Sequence, residues 1–210
     1  MTTRKRIYVS ISFIIAFILW TVAVTFIDVQ PIGPESSRVG FAALNQFVHQ
    51  ITGVHMDLCV ITDWLSLVPL GFVAGFGFLG LSQWIRRKSL WRVDHSILVL
   101  GGFYLLTASV FLFFEQFIVN YRPVLINGIL EASYPSSTTM LVLCVMPTTA
   151  IQLKRRILNN KLQNLVVSAI TVFTALMVIG RLLSGVHWFT DIIGGFLLSI
   201  GLVGLYASLE

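Results

Sequence analysis

Six long stretches of the sequence are apolar and nearly free of charge, and this pattern constrains the fold more than any other feature. Each stretch is about as long as the roughly 20 residues that an α-helix needs to cross a bilayer. The stretches cover about residues 7–27, 64–84, 97–117, 137–153, 165–180 and 188–206. The sequence therefore predicts an all-α, polytopic membrane protein with six transmembrane helices.

The composition excludes most other classes of protein. Charged residues make up 11% of the 210 residues and hydrophobic residues 56%, with a mean hydropathy of +0.88. A soluble domain carries about a quarter charged residues, so a soluble enzyme or a disordered tail is excluded. We expect a single domain over residues 1–210, with its functional motifs at about 97–206. Cys59 and Cys144 are too few for a disulfide framework, and we expect both to be unpaired.

The first apolar stretch follows Arg4, Lys5 and Arg6, as in a signal peptide. Its apolar core is longer than the roughly 7–15 residues of a signal peptide, and no small-x-small cleavage site follows it. We therefore expect this stretch to remain as a membrane anchor.

The basic residues predict the orientation. With six spans, both termini lie on one side, and eleven of the fourteen Lys and Arg residues fall on that side. The positive-inside rule then places both termini in the cytoplasm of a cell-membrane protein. The placement of the basic residues on the cytoplasmic side accounts for the net charge of +5, so we expect no nucleic-acid partner. The outer side holds only Arg38, Arg122 and Arg181.

The longest outer connection, residues 28–63, combines a turn-rich start with a second pattern. Pro31, Gly33 and Pro34 predict a linker. Apolar residues then recur at helical spacing, which predicts an interfacial or re-entrant amphipathic helix. These residues are Phe41, Leu44, Phe47, Val48 and Ile51.

Two outer segments contain residues typical of an anion site. The guanidinium of Arg122, in Tyr121-Arg122-Pro123, either reaches lipid headgroups or binds a phosphate, whose oxygens match its planar fork. In residues 134–139, a proline followed by hydroxyl residues predicts a helix start. That start is either an ordinary N-cap or, through its free N–H groups and dipole, a phosphate site.

A third outer segment contains Arg181, His187 and Asp191. His187 and Asp191 are four residues apart, so a helix starting there would place them on one face. A carboxylate on one imidazole nitrogen fixes the tautomer and leaves the other nitrogen free to attack. The alternative is a structural pair near the membrane interface. The three segments together suit phosphoryl transfer to a histidine, with arginines stabilising the phosphoryl oxygens.

The third segment resembles a motif of the type 2 phosphatidic acid phosphatase family, which is related to the vanadium haloperoxidases. That motif is Ser-Arg, five residues, His, three residues, Asp. It matches here at Arg181, His187 and Asp191, with Gly180 in place of the serine.

The family's other two motifs match in part. Pro-Ser-Gly-His matches at Pro135 and Ser136, and a lysine six residues before Arg-Pro matches at Arg122-Pro123. The resemblance implies a six-span phosphatase with an outward-facing site and no metal or cofactor. It implies that His187 is the nucleophile that forms a phosphohistidine and that Asp191 orients it. The implied phosphate-binding residues are Arg122, Ser136, Ser137 and Arg181.

Two positions depart from the family's motifs. Glu115 stands where the family has its lysine, and Thr138 where it has the second-motif histidine, the expected general acid. Loss of a general acid costs about 10²–10⁴ in rate, although a pyrophosphate has a better leaving group and needs the acid less. His49 or His55 could fold over the site, or a protonated Glu115 could donate. The simpler alternatives are headgroup-facing histidines and an ion pair between Glu115 and one of the arginines.

Two functions follow as hypotheses. The first is an integral-membrane lipid phosphate phosphatase that hydrolyses a lipid phosphomonoester or pyrophosphate at the outer leaflet. The alternative is a catalytically weak lipid-phosphate binding or transport protein on the same scaffold. Both take a lipid phosphate and membrane lipids as partners, and the sequence leaves the oligomeric state open.

Overall fold

A computed structural model describes residues 2–210. Within this range, the regular secondary structure consists of helices, apart from isolated β-bridges in the connections. Two of the helices, α3 (Met56–Leu65) and α4 (Leu67–Arg87), meet at Ser66, whose backbone is itself helical, so they form one stretch of 32 residues. The helices in chain order are α1 (Thr3–Phe26), α2 (Ala42–Thr52), α3 (Met56–Leu65), α4 (Leu67–Arg87), α5 (His95–Gln116), α6 (Ser137–Arg156), α7 (Asn160–Leu183) and α8 (Phe189–Leu209).

Five helical stretches within residues 2–210 are long and apolar enough to cross a membrane: α1, α3–α4, α5, α7 and α8. The chain is therefore a multi-pass membrane protein. The predicted fourth span also forms a helix, α6, but it is not among these five, so six spans are not confirmed. The reason is its composition, because α6 ends in Lys154, Arg155 and Arg156 and carries several polar side chains.

Other helices enclose α6, which packs against α7 and α8 and also against α4 and α5. Polar side chains in a membrane protein need protein partners, because lipid tails offer no hydrogen bonds. Gln152 illustrates this, since its side-chain amide is buried and donates to the backbone oxygen of Ser96 and to the hydroxyl of Tyr206. Helix α6 can therefore carry polar side chains, because other helices surround it and supply their hydrogen-bond partners.

The first and last helices pack closely and antiparallel. The indole N–H of Trp20, late in α1, donates to the backbone oxygen of Thr190 at 3.1 Å, early in α8. Near the other end, a Cβ added at Gly204 would lie 2.2 Å from Oγ of Ser10. Small residues allow such close approach of helices in membranes, and a side chain at position 204 would require Ser10 to move.

The helix ends sort into two groups. One end of the bundle, which we call the site end, contains the C-terminal ends of α1, α5 and α7. The N-terminal ends of α3, α6 and α8 lie there as well. Contacts across this end include Arg181 with Asp63 and Ser136 with Asp191. The basic clusters of α4 and α6 lie at the opposite end, where Arg155 also pairs with Glu210.

The connection between α5 and α6 contains a small hairpin that the sequence analysis did not predict. Backbone bridges join Tyr121 to Ala132 and Ile126 to Ile129. Asn127 and Gly128, at the tip, both have positive φ (53° and 78°), as a type I′ turn requires. The hairpin folds the segment back on itself, so that residues on either side of the turn reach the site end together.

A helix, α2, forms where the amphipathic pattern predicted one. It is anchored to the start of α8 by the buried Asn45, whose amide donates to Oγ1 of Thr190 at 2.9 Å and to the backbone oxygen of Gly40 at 2.8 Å. Phe47 and Ile51 of this helix are largely exposed.

Candidate active site

His187 is buried in the loop between α7 and α8, and residues of the α5–α6 connection surround its ring. Its Nε2 lies 3.3 Å from Nη1 of Arg122. On the other side of the ring, Nδ1 lies 2.9 Å from Oγ and 3.2 Å from the backbone oxygen of Ser133. The structure therefore brings one of the two site arginines directly against the imidazole.

These contacts assign the tautomer of His187. Arginine can only donate, so Nε2 carries the lone pair and Nδ1 carries the proton. Nδ1–H then donates to Ser133, and the hydroxyl of Ser133 donates to Oδ2 of Asp191 at 2.5 Å. The result is a chain of two hydrogen bonds that fixes the ring and leaves the lone pair on Nε2, which accepts from Arg122.

The expected contact between His187 and Asp191 is therefore indirect. Helix α8 begins at Phe189, so His187 lies before the helix and does not share a helical face with Asp191. The carboxylate instead serves the first turn of α8, where Oδ2 accepts from the backbone N–H of Trp188 at 3.0 Å. Asn120 donates to Oδ1 at 3.1 Å. Asp191 is thus fully buried and held by donors from three segments of the chain.

The surroundings of His187 keep its ring neutral. Burial lowers the pKa of His187 well below its usual value, and the charges of Arg122 and Arg181 lower it further. Both effects disfavour the imidazolium ion. A neutral imidazole with its proton on Nδ1 is the form that can attack phosphorus through Nε2.

Arg122 is held by the hairpin. Its backbone N–H donates to the backbone oxygen of Glu131 at 3.0 Å, and its Nε lies 3.0 Å from Oε2 of the same residue. The guanidinium therefore approaches His187 through Nη1 while its Nε faces a carboxylate.

Arg181 lies near the imidazole but is directed towards α3. It is buried, and its Nη1 donates to Oδ1 of Asp63 at 2.8 Å, to Oγ1 of Thr62 at 3.1 Å and to Sγ of Cys59 at 3.4 Å. Its Nε is buried without a hydrogen-bond partner among the described residues. Each site arginine thus already faces one carboxylate.

The expected ion pair between Glu115 and one of the arginines is wrong. The acidic partners are Glu131 for Arg122 and Asp63 for Arg181. Glu115 is exposed in the last turn of α5. The reason is the hairpin, which brings Glu131 back beside Arg122.

The hydroxyl residues at the start of α6 divide into two groups. Ser136 is buried, its backbone N–H donates to the backbone oxygen of Asp191 at 3.1 Å, and its Oγ accepts from Thr139 at 3.0 Å. It therefore connects the starts of α6 and α8. Ser137 and Thr138 instead line a largely apolar cavity of about 400 Å³ between α4, α5 and α6, and Asp63 lies at its polar end.

The two outer-loop histidines differ in their distance from the site. The ring of His49, in α2, packs against that of Trp188 with centroids 5.4 Å apart, so it neighbours the loop of His187. Burial lowers the pKa of His49. The ring of His55 bonds through Nε2 to the backbone oxygen of Thr52 at 2.9 Å, and its backbone N–H donates to Ser184.

Within residues 2–210, no group of three or more His, Cys, Asp or Glu side chains is arranged to hold a metal ion. Cys59 and Cys144 are both free and buried, which confirms the prediction that they are unpaired.

Four residues of this arrangement were missed from the sequence: Asp63, Asn120, Glu131 and Ser133. Three of them flank the hairpin, and the Asn127-Gly128 dipeptide was the signal that could have indicated the turn. Asp63 carried no such signal, because its partner Arg181 is more than a hundred positions away in sequence.

Comparison with known proteins places this arrangement in a family. The sequence model of the PAP2 superfamily matches residues 71–209, more than half of the chain. The chain belongs to the PAP2 superfamily. This confirms the resemblance to the type 2 phosphatidic acid phosphatases inferred from the spacing of Arg181, His187 and Asp191.

A solved PAP2 structure has the same fold. It is described as the crystal structure of the first transmembrane PAP2-type phosphatidylglycerolphosphate phosphatase from Bacillus subtilis. The TM-score is 0.61 and the sequence identity 20%, and the alignment covers 96% of this chain and 94% of that one. At this identity the likeness establishes the fold alone. A search of curated proteins found no match.

Proposed function

We propose that this PAP2 protein is an integral-membrane lipid phosphate phosphatase that hydrolyses a lipid phosphomonoester or pyrophosphate through a phosphohistidine on residue 187. One observation carries the proposal. The lone pair of His187 is on Nε2, 3.3 Å from Nη1 of Arg122, while Nδ1 is fixed through Ser133 to Asp191. A nucleophile, a cation for the phosphoryl oxygens and an orienting carboxylate are the parts that phosphoryl transfer to histidine needs.

The reaction has two steps. In the first, the lone pair of Nε2 attacks phosphorus while the bond to the leaving oxygen breaks, and Arg122 stabilises the charge on the phosphoryl oxygens. The developing positive charge on the ring is delocalised towards Nδ1, whose proton is held by Ser133 and Asp191. In the second step, water attacks phosphorus, the P–N bond breaks, and inorganic phosphate leaves.

The surroundings of the site favour a lipid substrate. Arg181, next to the site, is bound to Asp63, and this carboxylate also lines the 400 Å³ cavity. The cavity wall is formed mainly by apolar side chains such as Leu70, Val73 and Phe111. A phosphate near His187 could thus be continuous with a hydrocarbon chain between α4, α5 and α6.

For the membrane arrangement, we propose six spans, with α6 as the sixth, enclosed by the other five. The site residues and the basic clusters of α4 and α6 lie at opposite ends of the bundle. By the positive-inside rule, this favours an outward-facing site and cytoplasmic termini in a cell membrane. The exposed Phe47 and Ile51 of α2 would then lie in the outer interface as an amphipathic helix. Labelling of single cysteines in sealed vesicles tests this orientation.

Activity assays test the proposal directly. We expect purified protein in lipid nanodiscs to release phosphate from a lipid phosphate without added metal, and orthovanadate to inhibit the release. His187→Ala should abolish it, whereas His95→Ala, at the far end of the bundle, should leave it intact. Failure to act on any lipid phosphate, or release unaffected by His187→Ala, would overturn the proposal.

A specific observation favours the second candidate, a lipid-phosphate binding or transport protein with weak turnover. Both arginines already face carboxylates, and Thr138 and Glu115 replace the family's histidine and lysine. This candidate predicts lipid-phosphate binding with negligible hydrolysis. It also predicts that Thr138→His with Glu115→Lys sharply raises activity. Rapid turnover by the unaltered protein would exclude it.

A further inference from the structure

One carboxylate shares a cavity with the position where the family's second histidine is missing. Asp63, in the last turn of α3, lines the same cavity as Thr138 and Ser137. Its Oδ1 accepts from Nη1 of Arg181 at 2.8 Å. Nothing in the motif pattern of the chain assigns a role to this residue.

The two oxygens of Asp63 are not equally engaged. Oδ1 is bound to Arg181, whereas Oδ2 accepts only a long bond of 3.5 Å from Sγ of Cys59. A thiol is a weak donor, so Oδ2 remains available to accept a proton. The side chain is also 55% exposed and lies on the wall of the cavity.

Asp63 also acts on the arginine beside His187. Burial and the charge of Arg181 lower the pKa of Arg122, and the charges of Glu131 and Asp63 oppose this lowering. The negative charge of Asp63 therefore acts on Arg122 as well as on Arg181.

The chemistry leaves one role unfilled. Hydrolysis of a phosphohistidine needs a base for the attacking water, and Thr138 offers only a hydroxyl, which is a poor base at neutral pH. A carboxylate can perform this role. Two other carboxylates lie at the site. Asp191 is buried and accepts from Ser133, Asn120 and Trp188, and Glu131 lies on the hairpin against Arg122 and not at the start of α6.

We propose that Asp63 is the base that activates water for hydrolysis of the phosphohistidine, and that the substrate is accordingly a lipid diphosphate. This rests on the proposed function. The water oxygen bonds to phosphorus, its proton passes to Oδ2 of Asp63, and the P–N bond breaks with its electron pair returning to Nε2. Inorganic phosphate leaves, and Asp63 releases the proton to solvent.

The preference for a diphosphate follows from the first step. A lipid monophosphate leaves an alkoxide that must be protonated as it departs, and in this assignment no dedicated acid serves that oxygen. A lipid diphosphate instead leaves as a lipid monophosphate, whose oxygens already carry the charge stably. The missing histidine therefore penalises monoesters more than diphosphates.

The test uses dodecyl phosphate and dodecyl diphosphate, which share a chain and differ in leaving group. We expect kcat/KM of the unaltered protein to be at least about tenfold higher for the diphosphate, since a general acid contributes about 10²–10⁴. Asp63→Asn keeps an oxygen that can accept from Arg181 but removes the base. With diphosphate labelled in its terminal phosphoryl group, we expect this variant to release one dodecyl phosphate per protein in a burst. Labelled phosphoenzyme should then accumulate while steady-state turnover falls by about 10²-fold.

Controls separate catalysis from structure. Asp57→Asn, an exposed carboxylate on the same helix, should behave as the unaltered protein. Glu131→Gln should change KM without a burst. Burst formation by Asp63→Asn also shows that the variant is folded, because the first step still occurs.

Three results would overturn the assignment of Asp63: unchanged steady-state turnover, loss of turnover without a burst, or a monophosphate hydrolysed as fast as the diphosphate. If the unaltered protein is active, each of these results overturns only the role of Asp63 and does not contradict the proposed phosphatase function. An unaltered protein that acts on neither lipid overturns both proposals.

Discussion

Ser133 connects the nucleophile to its carboxylate, and its removal is the most informative single change at the site. Its Oγ lies 2.9 Å from Nδ1 of His187 and 2.5 Å from Oδ2 of Asp191. Ser133→Ala breaks both contacts and leaves Nδ1–H with the backbone oxygen of residue 133, at 3.2 Å, as its acceptor. The imidazole therefore keeps one hydrogen bond but loses its connection to the carboxylate.

The magnitude follows from the bond that is lost. A hydrogen bond to a charged group contributes about 1.5–3 kcal/mol, and each 1.4 kcal/mol is a factor of about ten in rate. If the bond stabilises the transition state in which the ring becomes positive, kcat falls by about 10–10²-fold. KM should change little, because Ser133 donates to Asp191 and not to the phosphate. The assay is steady-state release of phosphate from a lipid diphosphate in nanodiscs.

Ser109→Ala is the matched control, since Ser109 is exposed and bonds only to the backbone of its own helix. It should leave kcat unchanged. A kcat for Ser133→Ala within about twofold of the unaltered protein would refute the connection through Ser133. A rise in KM with unchanged kcat would instead indicate that Ser133 binds substrate.

Three further changes test other parts of the account. Arg122→Gln removes a positive charge that helps to lower the pKa of His187. The acidic limb of the pH profile of kcat/KM should therefore move to higher pH. An unmoved limb would contradict the electrostatic effect of Arg122 on His187. Gly204→Leu places a side chain where Ser10 lies, so the midpoint of thermal unfolding in detergent should fall, and an unchanged midpoint would contradict the close packing of α1 and α8. Asn45→Ala removes the buried bonds that hold α2 to α8, so limited proteolysis should cut near α2 faster, and equal cleavage rates would exclude this anchoring role.

Sequence reasoning located the helices well because each depends on its own residues. The apolar stretch predicted at 97–117 is α5, His95–Gln116, and the hydroxyl-rich start predicted at Ser137 begins α6. Five of the six predicted spans are long and apolar enough to cross a membrane, and α6 is not among them because it owes its place to surrounding helices and not to its own apolarity.

The site was harder to predict because its contacts join distant parts of the chain. The spacing of His187 and Asp191 suggested a direct pair, but α8 starts two residues after the histidine and Ser133 comes between them. Neither Asn120 nor Asp63 belongs to a recognisable motif, and their roles depend on tertiary placement. Motif spacing thus identified the residues that we propose react, whereas their hydrogen-bond and ion-pair partners required the structure.

The central claim is that phosphoryl transfer passes through residue 187. The most direct measurement is to mix the protein with a lipid diphosphate labelled in its terminal phosphoryl group, to quench within milliseconds in alkaline detergent, and to locate the label by peptide mass spectrometry. We predict label on His187, stable in alkali and lost in acid, and none in His187→Gln. Rapid phosphate release with no label on this residue, or label on another side chain, would contradict the claim.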